Sequence, residues 1–371
     1  MIYVVALVLM LGLRLCLPRD TTRSRRIFAL ACFFILTFIA ACRAPEVGRD
    51  TTLFIQRVFD RIRIRNFTET FALSTWAEPG FRLLCYVLTR FTANGQWLIV
   101  VSSVLIHGSV SFFIYRHAKN IYLAFYLYLA MMIYPFYLNI MRQALAIAVL
   151  LFAWDFFKKR QILPYAGVVL LAATFHTSAL LFLACPLLLL IPVTQKTLRV
   201  LIPVTVLFSL LGALFVRPIV HVAKMLLPRY AEYEPTTFDA LYWYLAVFAL
   251  ITAYGVYRFY FAKDAVPALG GEDKIDQRGF LTLMMLLGVI VASMMTRFGQ
   301  LQRIFNYFEV LYLLWLPATV PPATVKEGKR YLIFPKEELL VLAATLAYFL
   351  VLLFGRSALW YDALPYRFFW Q

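Results

Sequence analysis

The chain has 371 residues, 63% of them hydrophobic and 17% aromatic, and carries a formal net charge of +17. Soluble domains hold about 45–50% apolar residues, and a water-soluble fold of this size has too little interior to hide this much apolar surface. Lys and Arg punctuate apolar segments instead of covering one face, which excludes nucleic acid as the natural partner of the charge and points to a membrane protein.

A helix needs about 20 apolar residues to cross the hydrocarbon core. In chain order the predicted spans are 2–17, 27–43, 97–115, 120–137, 141–157, 162–176, 177–193, 198–216, 240–261, 280–296, 303–320 and 337–354. That is about twelve transmembrane helices, an all-α polytopic membrane fold. The first stretch has no basic n-region and no small-residue cleavage site, so it reads as a retained span. The run 162–193 is too long for one crossing and divides at Phe175-His176-Thr177-Ser178, where polarity rises. Segment 79–92 is short and carries Arg82 and Arg90, which predicts a re-entrant or interfacial helix, with a full crossing as the alternative. The whole chain, 1–371, reads as one transmembrane domain.

Orientation follows from the basic loops. Arg19, Arg23, Arg25 and Arg26 form the first; Arg116 and Lys119 the second; Lys158, Lys159 and Arg160 the third. Lys196 and Arg199, then Arg258, Lys263, Lys274 and Arg278, then Lys326, Lys329, Arg330 and Lys336 complete the set. All fall on one side if 79–92 does not cross, and the positive-inside rule makes that side cytoplasmic. Two long loops, 44–78 and 217–239, then face outward. The first holds Phe54-Ile55-Gln56-Arg57-Val58-Phe59, with apolar residues at helical spacing between arginines, as in a helix lying on a membrane surface. The loop 264–278, with Gly270-Gly271, reads as a flexible connector. Cys16, Cys32, Cys42, Cys85 and Cys185 lie in or beside apolar runs, without CxxC or ligand spacing, and read as packing residues.

On this topology the outer face collects charges that the positive-inside rule does not require: Arg49, Asp50, Glu78, Arg142, His176, Arg297 and Arg303. An arginine near mid-bilayer costs roughly 3 kcal/mol on insertion scales, so such residues are paired, hydrated or functional. The arginines outnumber the nearby acids, and a polyanion would neutralise them. Diphosphate fits, because a guanidinium fork matches phosphate oxygens. Each residue also has a plainer role. Arg142 can snorkel at a helix end, and Arg297 or Arg303, flanking Phe298-Gly299-Gln300-Leu301-Gln302, can cap one. Asp50 can cap the surface helix, Glu78 can cap the helix opening at Pro79-Gly80, and His176 can be a packing residue bonded to Thr177 or Ser178. Against these stand their roles as general base, His176 by its ordinary pKa and the two acids by proximity. His107, His117 and His221 lack ligand spacing and read as structural. No HExxH, DxD or GxSxG occurs, so neither a metal site nor serine-hydrolase chemistry is expected.

The ordered motifs Gly48-Arg49-Asp50, Glu78-Pro79-Gly80-Phe81, Asn139-Ile140-Met141-Arg142-Gln143 with Ala146, Phe175-His176-Thr177-Ser178-Ala179, Arg303-Ile304-Phe305-Asn306-Tyr307-Phe308 and Pro365-Tyr366 resemble the EpsG family of Wzy-like exopolysaccharide polymerases over most of the chain. The resemblance implies a GT-C-like fold and glycosyl transfer at the outer face of a bacterial inner membrane, without cofactor or metal. A chain growing on undecaprenyl diphosphate is the donor, and a lipid-linked oligosaccharide repeat unit is the acceptor. The lipid bilayer and a chain-length regulator are the other candidate partners; nucleic acid is not. In this reading Arg142, Arg297 and Arg303 hold the diphosphate, and His176, Asp50 or Glu78 is the base. Gln143, Asn306 and Tyr307 bind glycan, and Tyr134 and Tyr137 either stack on sugars or anchor at the interface. The alternatives are a lipid-linked oligosaccharide flippase, an O-antigen ligase and a membrane O-acyltransferase.

Overall fold

The computed structural model describes residues 2–17, 20–48, 50–73, 76–226, 240–263, 274–325, 332–355 and 363–371. Arg49, half of the predicted loop 217–239 and most of 264–278 lie outside these residues. The chain divides into two compact units, one formed by Met1–Leu183 with Val320–Gln371 and the other by Ala184–Thr319.

In the first unit, helices Thr22–Ala41 and Gln96–His117 pack together, and Met141–Leu150 packs on both Gln96–His117 and Ile162–Ala173. The centre is the segment from Ile121 to Asn139, in which every residue is buried. A helix apolar on all sides has no face to offer solvent and becomes the core. Asn120 caps it by accepting from Leu123 N at 3.1 Å. The predicted span 120–137 is not one helix. It breaks between Ile121–Ala130 and Ile133–Tyr137 at Met132, whose φ is 70°. Hydropathy does not register such a backbone break, because both halves are equally apolar.

A buried arginine ties this core to the loop that follows helix Thr22–Ala41. Arg43 is 3% exposed and donates to Ala40 O at 2.5 Å, Ser103 Oγ at 3.2 Å, Val47 O at 3.2 Å and Leu138 O at 3.4 Å. Its charge is spread over three carbonyls and a hydroxyl, as a buried cation requires. The C-terminal residues are stitched to the same corner. Ala44 N donates to Arg367 O at 2.9 Å, Phe369 N to Cys42 O at 3.0 Å, and Tyr366 Oη to Ile39 O at 2.7 Å.

The second unit is built on helix Gln277–Met295, packed against Gln195–Leu226 and Ala240–Tyr260. Asp276 caps it, accepting from Gly279 N at 3.0 Å. Trp315 fills the centre. A Cβ on Gly255 would stand 2.2 Å from its ring, so only glycine permits the approach, and its Nε1 donates to Thr282 Oγ1 at 3.2 Å.

Among the described residues, five helices are long and apolar enough to cross a membrane: Thr22–Ala41, Gln96–His117, Gln195–Gly212, Gln277–Met295 and Lys336–Gly355. The other apolar elements are shorter or broken. Thr177–Leu190 is a 3₁₀ helix of 14 residues containing Pro186. At about 2 Å per residue it extends roughly 28 Å, near the width of the hydrocarbon core. Helix Pro79–Thr89 has 11 residues, about 16 Å of α-helix, which is about half the length of a crossing.

Candidate functional site

Four of the sequence motifs meet in the first unit. The first anchor is Gly48, at φ 103°, where a Cβ would stand 2.6 Å from Leu138 O. Thr51 Oγ1 donates to the same carbonyl at 3.4 Å. The loop before the surface helix is thereby seated on the residue that precedes Asn139-Ile140-Met141-Arg142. The second anchor is Gly80, whose N donates to Thr174 O at 2.7 Å. A Cβ there would stand 2.3 Å from Thr174 Oγ1, so glycine is required for the start of helix Pro79–Thr89 to dock on the turn leading to His176.

These anchors bring Glu78 to Arg142. Glu78 sits at the N-cap position before Pro79, with extended backbone (φ −67°, ψ 158°), but its side chain makes no capping bond. It pairs instead with Arg142, Oε2 accepting from Nη1, with the two side chains 11% and 14% exposed. The capping role expected for Glu78 as the plain alternative is therefore not the one it plays. Its other oxygen, Oε1, accepts from Thr177 N at 3.4 Å and Thr177 Oγ1 at 3.5 Å. Beside Thr177, His176 Nδ1 lies 2.7 Å from Ser178 Oγ and accepts from Ser178 N at 3.4 Å. With Nδ1 as acceptor, the neutral ring carries its proton on Nε2 and presents a donor there.

Arg142 stands in the first turn of helix Met141–Leu150, so guanidinium and helix N-terminus add their positive potentials. Nη1 also donates to Trp76 O at 3.3 Å. The guanidinium lies 4.4 Å from the Trp76 ring centroid and 5.5 Å from that of Phe54. The guanidinium is thus held by one carboxylate, one carbonyl and two aromatic faces. The sequence reading treated Glu78 and Arg142 separately and did not name Trp76, which is 41% exposed and flanks the pair. No spacing rule links residues this far apart.

Asp50 heads the surface helix at its N-cap position, half-buried, and its side chain forms no capping bond. The helix that follows is interrupted by a π-helical stretch, Ile55–Phe59, between Thr51–Phe54 and Asp60–Arg63. Such stretches are frequent at functional sites.

In the second unit the predicted break is present. Helix Gln277–Met295 ends, Gly299–Leu301 forms a 3₁₀ turn, and Gln302–Glu309 begins. Phe298 pins the turn by packing on Val216, Met294 and Leu301. Arg297 is exposed and Arg303 is half-buried.

The predicted glycan ligands are buried. Gln143, Asn306 and Tyr307 are 2%, 1% and 1% exposed, and Tyr134 and Tyr137 are 0% and 2%. Tyr134 Oη is bonded to Leu36 O at 2.8 Å. These side chains are enclosed within their own units. Glu309, not singled out in the sequence, is 1% exposed, and its Oε1 has no hydrogen-bond partner among the described residues; the same holds for both amide atoms of Asn306, one turn earlier. An acid inside the predicted span 303–320 was itself the available signal.

The EpsG family model matches residues 26–368. The chain belongs to the EpsG family. No curated protein and no solved structure matches it. As an EpsG family chain it brings Glu78, Arg142 and the His176 turn together within one unit, while Arg297 and Arg303 lie in the other.

Proposed function

We propose that this EpsG family chain is a membrane polysaccharide polymerase of the Wzy-like kind. It joins oligosaccharide repeat units carried on undecaprenyl diphosphate at the outer face of a bacterial inner membrane. The observation that carries the reading is the Arg142–Glu78 pair at the start of helix Met141–Leu150. A helix N-terminus and an arginine together make a phosphate site, and the carboxylate stands where a phosphate oxygen would bind.

In the mechanism we infer, the diphosphate of the donor displaces Glu78 from Arg142. The released carboxylate accepts the proton of the acceptor hydroxyl. The acceptor oxygen forms a bond to the anomeric carbon as the bond from that carbon to the diphosphate oxygen breaks. The electron pair leaves with undecaprenyl diphosphate, whose charge Arg142 stabilises. His176, with its ring proton on Nε2, acts as a hydrogen-bond donor to the phosphate, and Asp50 remains the second candidate base. Trp76 takes the glycan-stacking role first assigned to the buried tyrosines. For Arg303 and Arg297 we propose the same chemical role, anion ligation.

The test is polymer length on a gel, together with the amount of unpolymerised repeat unit at the outer face, for Arg142→Ala, Glu78→Gln and Arg303→Ala. The expected result is loss of long chains with repeat units accumulating outside. Wild-type chain length in Arg142→Ala and Glu78→Gln at normal protein levels would refute the mechanism. Repeat units trapped inside would favour a flippase.

A further inference from the structure

The first unit carries a groove whose lining includes neither Glu78 nor Arg142. Between helices Thr22–Ala41 and Gln96–His117 runs a groove of about 440 Å³, walled by Leu30, Phe33, Gly108 and Phe112 and closed at one end by Arg26 and Tyr115. Leu30 and Phe112 are 57% and 45% exposed, so its walls are open to the surroundings. Arg26 Nε donates to Tyr115 Oη at 3.2 Å, which fixes the guanidinium at the mouth. Its two terminal nitrogens have no partner among the described residues.

The charge at that end is one-sided. Arg23 and Arg25 lie in the same turns as Arg26, and Arg25 reaches back to the carbonyls of Ala118 and Lys119 at 3.3 and 3.4 Å. The nearby acid, Asp20, is 3.7 Å from Arg25. Arg116, on the facing helix, is already paired with Asp155 at 3.0 Å. From Arg26 to Phe33 the helix rises about 10 Å, the depth over which the groove is apolar.

We propose that this groove is a binding site for an anionic glycerophospholipid. One acyl chain lies between Leu30, Phe33 and Phe112, and the phosphate accepts from the free nitrogens of Arg26. Gly108 keeps the groove open. A Cβ there meets only Phe33 Cε2, at 3.5 Å, so a larger side chain would enter the groove without displacing backbone. The site is independent of the polymerase reading.

The experiment is native mass spectrometry of the purified full chain with phosphatidylglycerol, phosphatidylcholine of the same acyl chains, or undecaprenyl phosphate. The wild type is expected to retain phosphatidylglycerol about fivefold over phosphatidylcholine, the preference that roughly 1 kcal/mol per basic residue confers. Arg26→Gln, at an exposed position, is expected to abolish the preference while leaving binding of both lipids. Gly108→Leu is expected to reduce binding of both. An unchanged preference in Arg26→Gln overturns the proposal. So does undecaprenyl phosphate displacing phosphatidylglycerol from the wild type, which would assign the groove to the substrate lipid instead.

Discussion

The guanidinium of Arg142 and the carboxylate of Glu78 meet across 64 positions of sequence, both largely shielded from solvent. Each resolves the other's difficulty. The carboxylate neutralises a cation that would otherwise sit with the positive end of a helix, and the arginine gives a buried acid its counterion.

Removing one partner of such a pair leaves an uncompensated buried charge, at a cost of about 3–5 kcal/mol. Arg142→Ala and Glu78→Ala alone are therefore expected to lower thermal stability or protein level. The double variant is expected to recover much of that stability, because neither charge remains, yet to stay inactive. A double variant no more stable than the singles would show that the two do not interact.

Arg142→Lys separates charge from geometry. Lysine keeps the positive charge but loses the planar fork that serves Glu78, the Trp76 carbonyl and the Trp76 ring at once. Near-normal protein levels with sharply shortened polymer are expected on a gel. Full-length polymer would mean that charge alone suffices.

Gly80→Ala places a methyl carbon 2.3 Å from Thr174 Oγ1 and 2.9 Å from Thr174 O. The docking that sets Glu78 against Arg142 must shift, and a loss of about 1–3 kcal/mol is expected, read as a lower melting temperature and reduced polymerisation. Adding Thr174→Ala removes the nearer clash and is expected to restore part of both. No rescue would place the strain elsewhere.

At Gly48 the penalty is conformational as well as steric. Alanine at φ 103° is strained, and its Cβ meets Leu138 O at 2.6 Å. A loss of about 1–3 kcal/mol is expected in thermal unfolding. An unaltered melting temperature would mean that the 44–50 loop does not bear on Leu138.

Glu309→Gln keeps the shape of a buried acid and removes its capacity to ionise. Protein accumulation within about twofold of wild type is expected, since a neutral amide costs no more to bury than a carboxylate without a partner. Glu309→Lys is expected to abolish accumulation. Equal accumulation of both variants would contradict the enclosed setting of this side chain.

Much of the fold was legible because hydropathy is a local signal. The stretches 27–43, 97–115, 280–296 and 337–354 correspond to helices of crossing length. What hydropathy missed were changes of backbone state inside apolar runs: the left-handed Met132, the 3₁₀ helix Thr177–Leu190 and the stop between Met141–Leu150 and Ala153–Lys158. The site was legible as a set of residues. Glu78, Arg142 and the His176 turn were each named, and each carried a plainer role that only spatial neighbours could weigh. The acid's choice of Arg142 over a capping bond depends on two glycine contacts and a carbonyl at Leu138, none of which leaves a trace in spacing. The burial of Gln143, Asn306 and Tyr307 was illegible for a related reason, since an outward-looking tyrosine and an enclosed one read alike in an apolar run.

The knot of backbone bonds joining residues 42–44 to residues 367–369 has a practical side. Anything fused behind Gln371 hangs from the corner where Arg43 grips the Leu138 carbonyl, and a bulky reporter there would tug on the approach to Arg142. Purification handles and fluorescent fusions belong on another part of the chain, and loss of function in a C-terminal fusion would report mechanical interference at this corner first.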